Sequence, residues 1–113
     1  MGKTAKRLFG PLQVSNAVTT RYTVPASTKT ILRHIHIQNP SVSAVTFTLS
    51  VGTDATATRL FDAYSIPGAA AGVTGSVIDW YGYIVLDAAE IIQTNAGTTN
   101  VLVVTGFGDE YVL

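Results

Sequence analysis

The fold class is decided by the stretch Val45-Thr46-Phe47-Thr48-Leu49-Ser50-Val51. Every odd position in it is apolar and every even position carries a hydroxyl, which is the alternation of a β-strand with one buried face. Gly52-Thr53-Asp54 follows and predicts a turn. The rest of the chain is also rich in Thr, Val and Ile, whose branched side chains favour strands. The sequence therefore predicts an all-β protein.

Similar patterns continue on both sides of this strand. Roughly seven to eight short strands at regular spacing, with no helical window, indicate an antiparallel β-sandwich or jelly roll. Arg33 shares a strand face with three isoleucines, so we expect a β-bulge or an edge position there. The other strands are predicted at 18–24, 28–38, 58–66, 76–80, 83–86, 91–94 and 100–107, with a mobile loop of small residues at 69–75.

The chain is predicted to divide into an extended N-terminal arm, residues 1–16, and a single β-sandwich domain, residues 17–113. The arm shows no strand alternation, and we expect it to dock on a neighbouring subunit; the alternative is that 8–14 forms an edge strand of its own domain. Its proposed interface residues are Lys3, Lys6, Arg7, Leu8 and Phe9. The predicted core of the domain is Phe47, Leu49, Val51, Ile35, Ile37, Val101 and Val103.

The low content of charged residues is the unusual feature of the composition. Only 12% of the 113 residues are charged, against about 25% in a typical soluble domain, and the mean hydropathy is +0.33. Such a surface indicates a subunit of a larger assembly, which we expect to be a homo-oligomer such as a ring or trimer. The absence of cysteine excludes disulfides, thiolate metal sites and cysteine nucleophiles. No apolar run is long enough to span a membrane, and the N-terminus has no apolar core of a secretory signal.

The charges are unevenly distributed, although the net charge is zero. Either the two signs occupy different faces and meet between subunits, or strands from the two halves alternate in one sheet and neutralise each other. In neither case is there a basic domain, so no nucleic-acid partner is expected. The bases before residue 54 are Lys3, Lys6, Arg7, Arg21, Lys29 and Arg33, and the acids after residue 59 are Asp62, Asp79, Asp87, Glu90, Asp109 and Glu110.

His34 and His36 have the one spacing with chemical meaning. Alternate residues of a strand point to the same side, so both imidazoles can face one metal ion. A catalytic metal needs a third ligand, for which Asp62, Asp79 and Glu90 are the candidates, and nothing in the sequence places any of them nearby. We therefore expect no metal or other cofactor and interpret the two histidines as a polar strand face. The chain also lacks a Gly-x-Ser-x-Gly elbow and a phosphate-binding loop, so we expect no enzyme.

Trp80, Tyr81 and Tyr83 cluster around Gly82. If exposed, Trp80 and Tyr81 would form a sugar-stacking platform or an interface anchor. Consecutive strand residues face opposite sides, however, so the favoured interpretation places one ring in the core and the other over an edge.

Several segments carry a resemblance to a known group of proteins. They resemble small structural proteins of tailed bacteriophages over residues 17–107. The resemblance implies a non-enzymatic virion subunit, a minor tail or tail-tip component or a capsid decoration protein, which is made in the bacterial cytoplasm and packs against itself and other virion proteins. The segments are Tyr22-Thr23-Val24-Pro25-Ala26-Ser27-Thr28-Lys29-Thr30 with the strand 31–38, the turn at Asn39-Pro40, Phe47-Thr48-Leu49-Ser50-Val51-Gly52, and Leu86-Asp87-Ala88-Ala89-Glu90-Ile91-Ile92.

Two other functions remain open from the sequence. The first is a carbohydrate-binding module for host recognition, which would use Trp80 and Tyr81. The second is a small cupin-like metal enzyme, which would use His34 and His36.

Overall fold

The computed structural model describes residues 2–69 and 76–113, and these form eight β-strands. A single 3-10 turn, Thr56–Thr58, is the one helical element in this part of the chain. The all-β prediction is confirmed, and most of the loop predicted at 69–75 lies outside the described residues. The strands are β1 Lys3–Gln13, β2 Thr19–Thr23, β3 Thr28–Asn39, β4 Val45–Val51, β5 Arg59–Ile66, β6 Ser76–Leu86, β7 Ile91–Ala96 and β8 Val103–Val112.

The strands form two four-stranded antiparallel sheets. Sheet 1 has the order β1-β8-β3-β6, and sheet 2 has the order β2-β7-β4-β5. The alternation of strands between two facing sheets is the arrangement of a jelly roll, which confirms the predicted architecture. In the described residues, no helix has the length and apolar character needed to cross a membrane. Strand β6 is continuous across Gly82, where the sequence predicted two separate strands.

The hydrophobic core lies between the sheets. Phe47 and Leu49 of β4 are completely buried, as are Ile35 and Ile37 of β3, so these four core predictions are confirmed. Val51 is only half-buried, because it stands at the end of its strand and packs against the margin of the core.

The face of the last strand was predicted wrongly. Leu102 and Val104 are completely buried, whereas Val101 and Val103 are half-buried. All four residues are apolar, so no polar residue in this stretch marks which alternate set faces water.

The predicted irregularity at Arg33 is a β-bulge. The register of β3 shifts between Leu32 and His34 against both neighbouring strands. The extra residue reverses the alternation, so that Leu32 joins Ile35 in the core, while Ile31 lies outside the core cluster. Arg33 itself faces out, where its Nε donates to the carboxylate of Asp109 at 3.0 Å.

The prediction of an N-terminal arm is wrong for residues 3–13, which form edge strand β1. This strand pairs with β8 from Lys3 opposite Tyr111 to Gln13 opposite Val103. Its pairing is irregular around Gly10, which has a φ of +83°. Leu8 and Phe9 are consecutive residues, yet both are buried, because the shifts in register let both side chains reach the core. The edge-strand alternative is therefore the correct one. The observed strand, Lys3–Gln13, is longer than the predicted edge strand at 8–14.

The uneven charges are paired within the chain. Sheet 1 places β1 and β3, from the basic half, beside β8 and β6, from the acidic half. This arrangement supports the interpretation in which alternating strands neutralise each other. The pairs that join the two halves are Lys3–Asp109 at 3.9 Å, Lys6–Glu110 at 3.1 Å, Lys29–Asp87 at 2.9 Å and Arg33–Asp109 at 3.0 Å.

Candidate functional site

His34, His36 and Asp79 meet on the outer face of sheet 1, the face turned away from the core. His36 on β3 lies directly opposite Asp79 on β6, and His34 is two residues along the same strand. Oδ1 of Asp79 accepts hydrogen bonds from Nε2 of His34 and Nδ1 of His36, each at 2.7 Å. The structure thus brings one of the three candidate acids to the histidines.

The other two acids have partners elsewhere. Asp62 is on β5 in sheet 2 and forms an ion pair with Arg59 at 2.9 Å. The carboxylate of Glu90 accepts a hydrogen bond from the backbone N–H of Asp87 at 2.6 Å, within the turn between β6 and β7. Neither residue therefore contributes to the histidine cluster.

Asp79 is held in its charged form. The hydrogen bond from His34, and then the one from His36, lower the pKa of this carboxyl below its ordinary value, against a smaller opposing effect of burial. The side chains are partly open to solvent, with exposed fractions of 23% for His34, 37% for His36 and 33% for Asp79. The cluster is therefore an accessible group of two imidazoles around one carboxylate.

The imidazole of His34 is clamped between two aromatic rings. Tyr81 on β6 stacks on one side, with ring centroids 4.3 Å apart and an interplanar angle of 12°. Phe107 on β8 stacks at 5.0 Å and 18°. Both rings stand opposite His34 in the strand register. The clamp fixes the ring plane, and sequence reasoning missed Phe107 because the β3–β8 register is not visible in the sequence.

An apolar stripe runs along the outer face of β6. Every second residue points outward, and four of these five are apolar or aromatic. Within the described residues β6 pairs with β3 alone, so its other edge is free. The residues of this outer stripe are Val77, Tyr81, Tyr83 and Val85, with exposed fractions of 51%, 72%, 61% and 48%.

One end of the outer stripe opens into a shallow depression of about 450 Å³. Arg33 lies over the ring of Tyr83, with its guanidinium carbon 4.9 Å from the ring centroid. The outer stripe and the depression together make this face of sheet 1 largely apolar at that end. The depression is lined by Lys29, Ile31, Tyr83, Val85, Tyr111 and Leu113.

Trp80 and Tyr81 do not form the platform considered from the sequence. Trp80 faces inward and packs against the core, while Tyr81 faces outward. Trp80 also covers Gly82, where a Cβ would stand 2.3 Å from the indole ring. The two rings are therefore on opposite faces of β6, which removes the sugar-stacking surface that depended on both.

The predicted interface residues of the N-terminal segment are mostly engaged within the chain. Leu8 and Phe9 were expected at an interface and instead belong to the core, because β1 carries them over the inner face. Lys3 and Lys6 pair with acids of β8. Arg7 lines a shallow surface depression beside Arg33.

Comparisons with known proteins identify no family. No family model matches the chain, and no curated protein matches it. Several solved structures are similar to it at low identity, and three of them are described below. The chain in the Bacillus endospore appendages, described as disulfide-linked pili, is 8% identical, with a TM-score of 0.45 over 98% of this chain and 88% of that one. A chain of the cyanophage Pam1 capsid asymmetric unit is 20% identical, with a TM-score of 0.45 over 99% and 81%.

The third similar structure is a pentameric capsid protein isolated from metagenomic phage sequences. It is 14% identical, with a TM-score of 0.38 over 89% of this chain and 58% of that one. All three TM-scores lie below 0.5, so the function is argued from the residues of this chain.

The outer face of sheet 1 offers a polar cluster and an apolar surface. The histidine cluster presents nitrogen and oxygen donors toward solvent, and the outer stripe presents apolar area. Within residues 2–69 and 76–113 the cluster lies on an open sheet face and not in an enclosed cleft, so the described residues leave it accessible to water. The structure therefore gives no support to the cupin-like enzyme considered from the sequence.

Proposed function

We propose that this protein is a non-enzymatic structural subunit of a tailed-bacteriophage virion, which packs against a second copy of itself and against other virion proteins through the outer face of sheet 1. The observation that carries the proposal is the outer stripe on the edge strand β6. It combines exposed apolar side chains with backbone hydrogen-bonding groups of an edge strand.

Such an edge is normally protected in a protein that stays monomeric. Natural sheets protect their edges with charged residues, prolines or bulges, or by covering them. Asp79 is the single charged residue among the outward positions of β6. Its carboxylate is hydrogen-bonded to His34 and His36 on the neighbouring strand. An exposed, mostly apolar edge strand of 11 residues favours a protein partner.

The fold alone does not separate the functions considered from the sequence. Jelly rolls serve as viral capsid domains, lectins and cupins, so the surface has to decide among them. Trp80 and Tyr81 lie on opposite faces of β6, which disfavours a carbohydrate-binding function. The solvent-accessible position of His34 and His36 disfavours an enzymatic function. The exposed apolar outer stripe on a weakly charged chain favours the structural role.

The virion context of the proposal comes from the resemblance of residues 17–107 to structural proteins of tailed phages. We assign the subunit to the tail or tail tip, or to capsid decoration, and expect it in the bacterial cytoplasm before assembly. Mass spectrometry of purified phage particles tests this part directly. Presence of the chain at a constant ratio to the major structural proteins is the expected result, and its absence from intact particles would overturn the assignment.

The packing surface is tested by measuring the oligomeric state. The expected result is a homo-oligomer by size-exclusion chromatography with light scattering. The double variant Tyr83→Ser and Val85→Ser, which removes exposed apolar area without touching the core, is expected to shift the protein to monomer. Val42→Ser is the matched control, because Val42 is 78% exposed and lies outside the outer stripe. A wild-type protein that is monomeric at high concentration, or a control as disruptive as the double variant, contradicts the assigned surface.

A further inference from the structure

We propose that His34, His36 and Asp79 bind one divalent transition-metal ion of the zinc type on the outer face of sheet 1. One donor atom from each residue lies within 4.8 Å of the other two. Two imidazole nitrogens and a carboxylate oxygen suit Zn²⁺ and its neighbours in the first transition row. Mg²⁺ and Ca²⁺ prefer sets made of oxygen alone. The inference does not depend on the proposed structural role.

The hydrogen bonds of the cluster already bring the three donor atoms together around Oδ1 of Asp79. Each histidine presents a ring nitrogen to Oδ1 of Asp79 at 2.7 Å. A metal ion would replace the two protons in these bonds, and each ring would carry its proton on the other nitrogen. Bonds of about 2.0–2.2 Å in a tetrahedral site place neighbouring donor atoms about 3.3 Å apart. A tetrahedral ion therefore requires each nitrogen to move roughly half an ångström away from Oδ1 of Asp79. The two nitrogens, which lie within 4.8 Å of each other, also have to settle at the same spacing of about 3.3 Å, and rotations of the three side chains would make both changes.

The scaffold fixes the donors before any ion arrives. His36 and Asp79 face each other across two hydrogen-bonded strands, and the His34 ring is held between Tyr81 and Phe107. A site whose ligands are locked by packing loses little conformational entropy on binding. A hydrogen bond to Asp79 alone does not need the His34 ring to be held between two aromatic rings. This stacking distinguishes the cluster from an ordinary polar strand face.

The charge of the cluster also favours a cation. Asp79 carries the single formal negative charge among the three side chains, and the nearby Arg33 is engaged with Asp109. A divalent ion with two neutral imidazoles and one carboxylate leaves a net charge of one. Three protein ligands leave the fourth position open, and in the free subunit it faces solvent on the outer side of the sheet.

The chain offers a direct spectroscopic test, because it contains two histidines in all. Tag-free protein is stripped with a chelator and titrated with ZnCl₂ while the imidazole nitrogen resonances are followed by NMR. The expected result is that both histidines shift together and saturate at one Zn²⁺ per chain, with the metal-bound nitrogens being Nε2 of His34 and Nδ1 of His36. Unchanged histidine resonances at millimolar ZnCl₂, or a shift of one histidine alone, would overturn the site.

Calorimetry with matched variants provides the second measurement. Asp79→Asn and His36→Gln are each expected to weaken Zn²⁺ binding more than about tenfold. Asp87→Asn is the control, since Asp87 is an exposed acid in a surface pair with Lys29, and it should bind Zn²⁺ like the wild type. Equal affinity of Asp79→Asn and Asp87→Asn would contradict the proposal. Should a variant fail to fold, the NMR titration of the wild type still decides the question.

Discussion

The hydroxyl of Tyr22, on a strand of sheet 2, donates its proton to the carboxylate of Glu110, on a strand of sheet 1. Oγ1 of Thr30 lies 2.7 Å from the same hydroxyl, and Lys6 donates to Glu110 at 3.1 Å. Burial, followed by the hydrogen bond to Glu110, raises the pKa of Tyr22 to about 12. Burial pushes the pKa of Glu110 upward, but the hydrogen bonds from Tyr22 and Lys6 outweigh it, and the pKa lies below its ordinary value.

The Tyr22–Glu110 contact predicts a loss of stability in strong alkali. Tyr22 keeps its proton up to about pH 12 in the folded protein, against an ordinary pKa of 10.0. Between these values the folded state binds more protons than the unfolded state, so the free energy of unfolding falls as the pH rises. Urea unfolding of the wild type at several pH values across this window, compared with Tyr22→Phe, measures the effect.

The variant Tyr22→Phe is expected to lose this part of the alkaline dependence. At neutral pH it should be less stable by about 1–3 kcal/mol, because Glu110 loses a hydrogen-bond donor in a partly buried position. Identical pH slopes for the two proteins would contradict the role assigned to the Tyr22 hydroxyl.

Truncation of Phe47 tests the core between the sheets. Phe47 is completely buried and meets the ring of Phe61 edge-on, with centroids 5.5 Å apart. Phe47→Ala is expected to lower the free energy of unfolding by about 3–5 kcal/mol, since it leaves a cavity in a packed interior. Thr46→Ala is the control on the exposed face of the same strand and should change it by less than about 0.5 kcal/mol. A loss below about 1 kcal/mol for Phe47→Ala, close to that of a surface substitution, would mean that the inner and outer faces of β4 are assigned the wrong way round.

Deletion of residues 2–12 tests the assignment of β1 as part of the domain. The deletion removes Leu8 and Phe9 from the core and exposes the edge of β8. We expect a large fall in melting temperature by calorimetry. The control is the double variant Lys3→Gln and Lys6→Gln, which removes surface charge but keeps the strand, and exposed ion pairs contribute only about 0–1 kcal/mol each. An unchanged melting temperature of the truncated protein would restore the idea of a separate arm.

The proposed oligomer is predicted to be insensitive to salt. The pairs that join the basic and acidic halves of the sequence lie within one chain, and the outer stripe is apolar. Added salt screens exposed charges but does not weaken apolar contacts. Light scattering at low and high NaCl is expected to give the same mass. Dissociation at high NaCl would instead indicate contacts between opposite charges of neighbouring subunits.

The sequence predicts those parts of the fold that local patterns encode. The alternation at 45–51 identifies the inner face of β4, and the charged Arg33 on an isoleucine face locates the bulge in β3. The sequence does not reveal that the bulge turns the Leu32 side chain into the core. That orientation depends on the register of β3 against its neighbours β6 and β8. The sequence does not predict strand β1, because its irregular pairing around Gly10 removes the alternation that identifies a strand.

The candidate site depends on information that no local pattern holds. The spacing of His34 and His36 is visible in the sequence, but the choice of Asp79 over Asp62 and Glu90 is made by the register of β3 against β6. The stacking of Phe107 on His34 depends in the same way on the register of β3 against β8. Pairings between residues so far apart along the chain are fixed by the packing of the whole sandwich.

The pairing of β1 with β8 has a consequence for how the protein is made. The first strand of the described chain finds its partner in the last one, so a growing polypeptide presents Leu8 and Phe9 to water until residues 103–112 have left the ribosome. Contacts between such distant segments also slow folding, to about the millisecond-to-second range of all-β domains. The nascent chain is thus exposed to aggregation from the synthesis of β1 until β8 has emerged and paired with it.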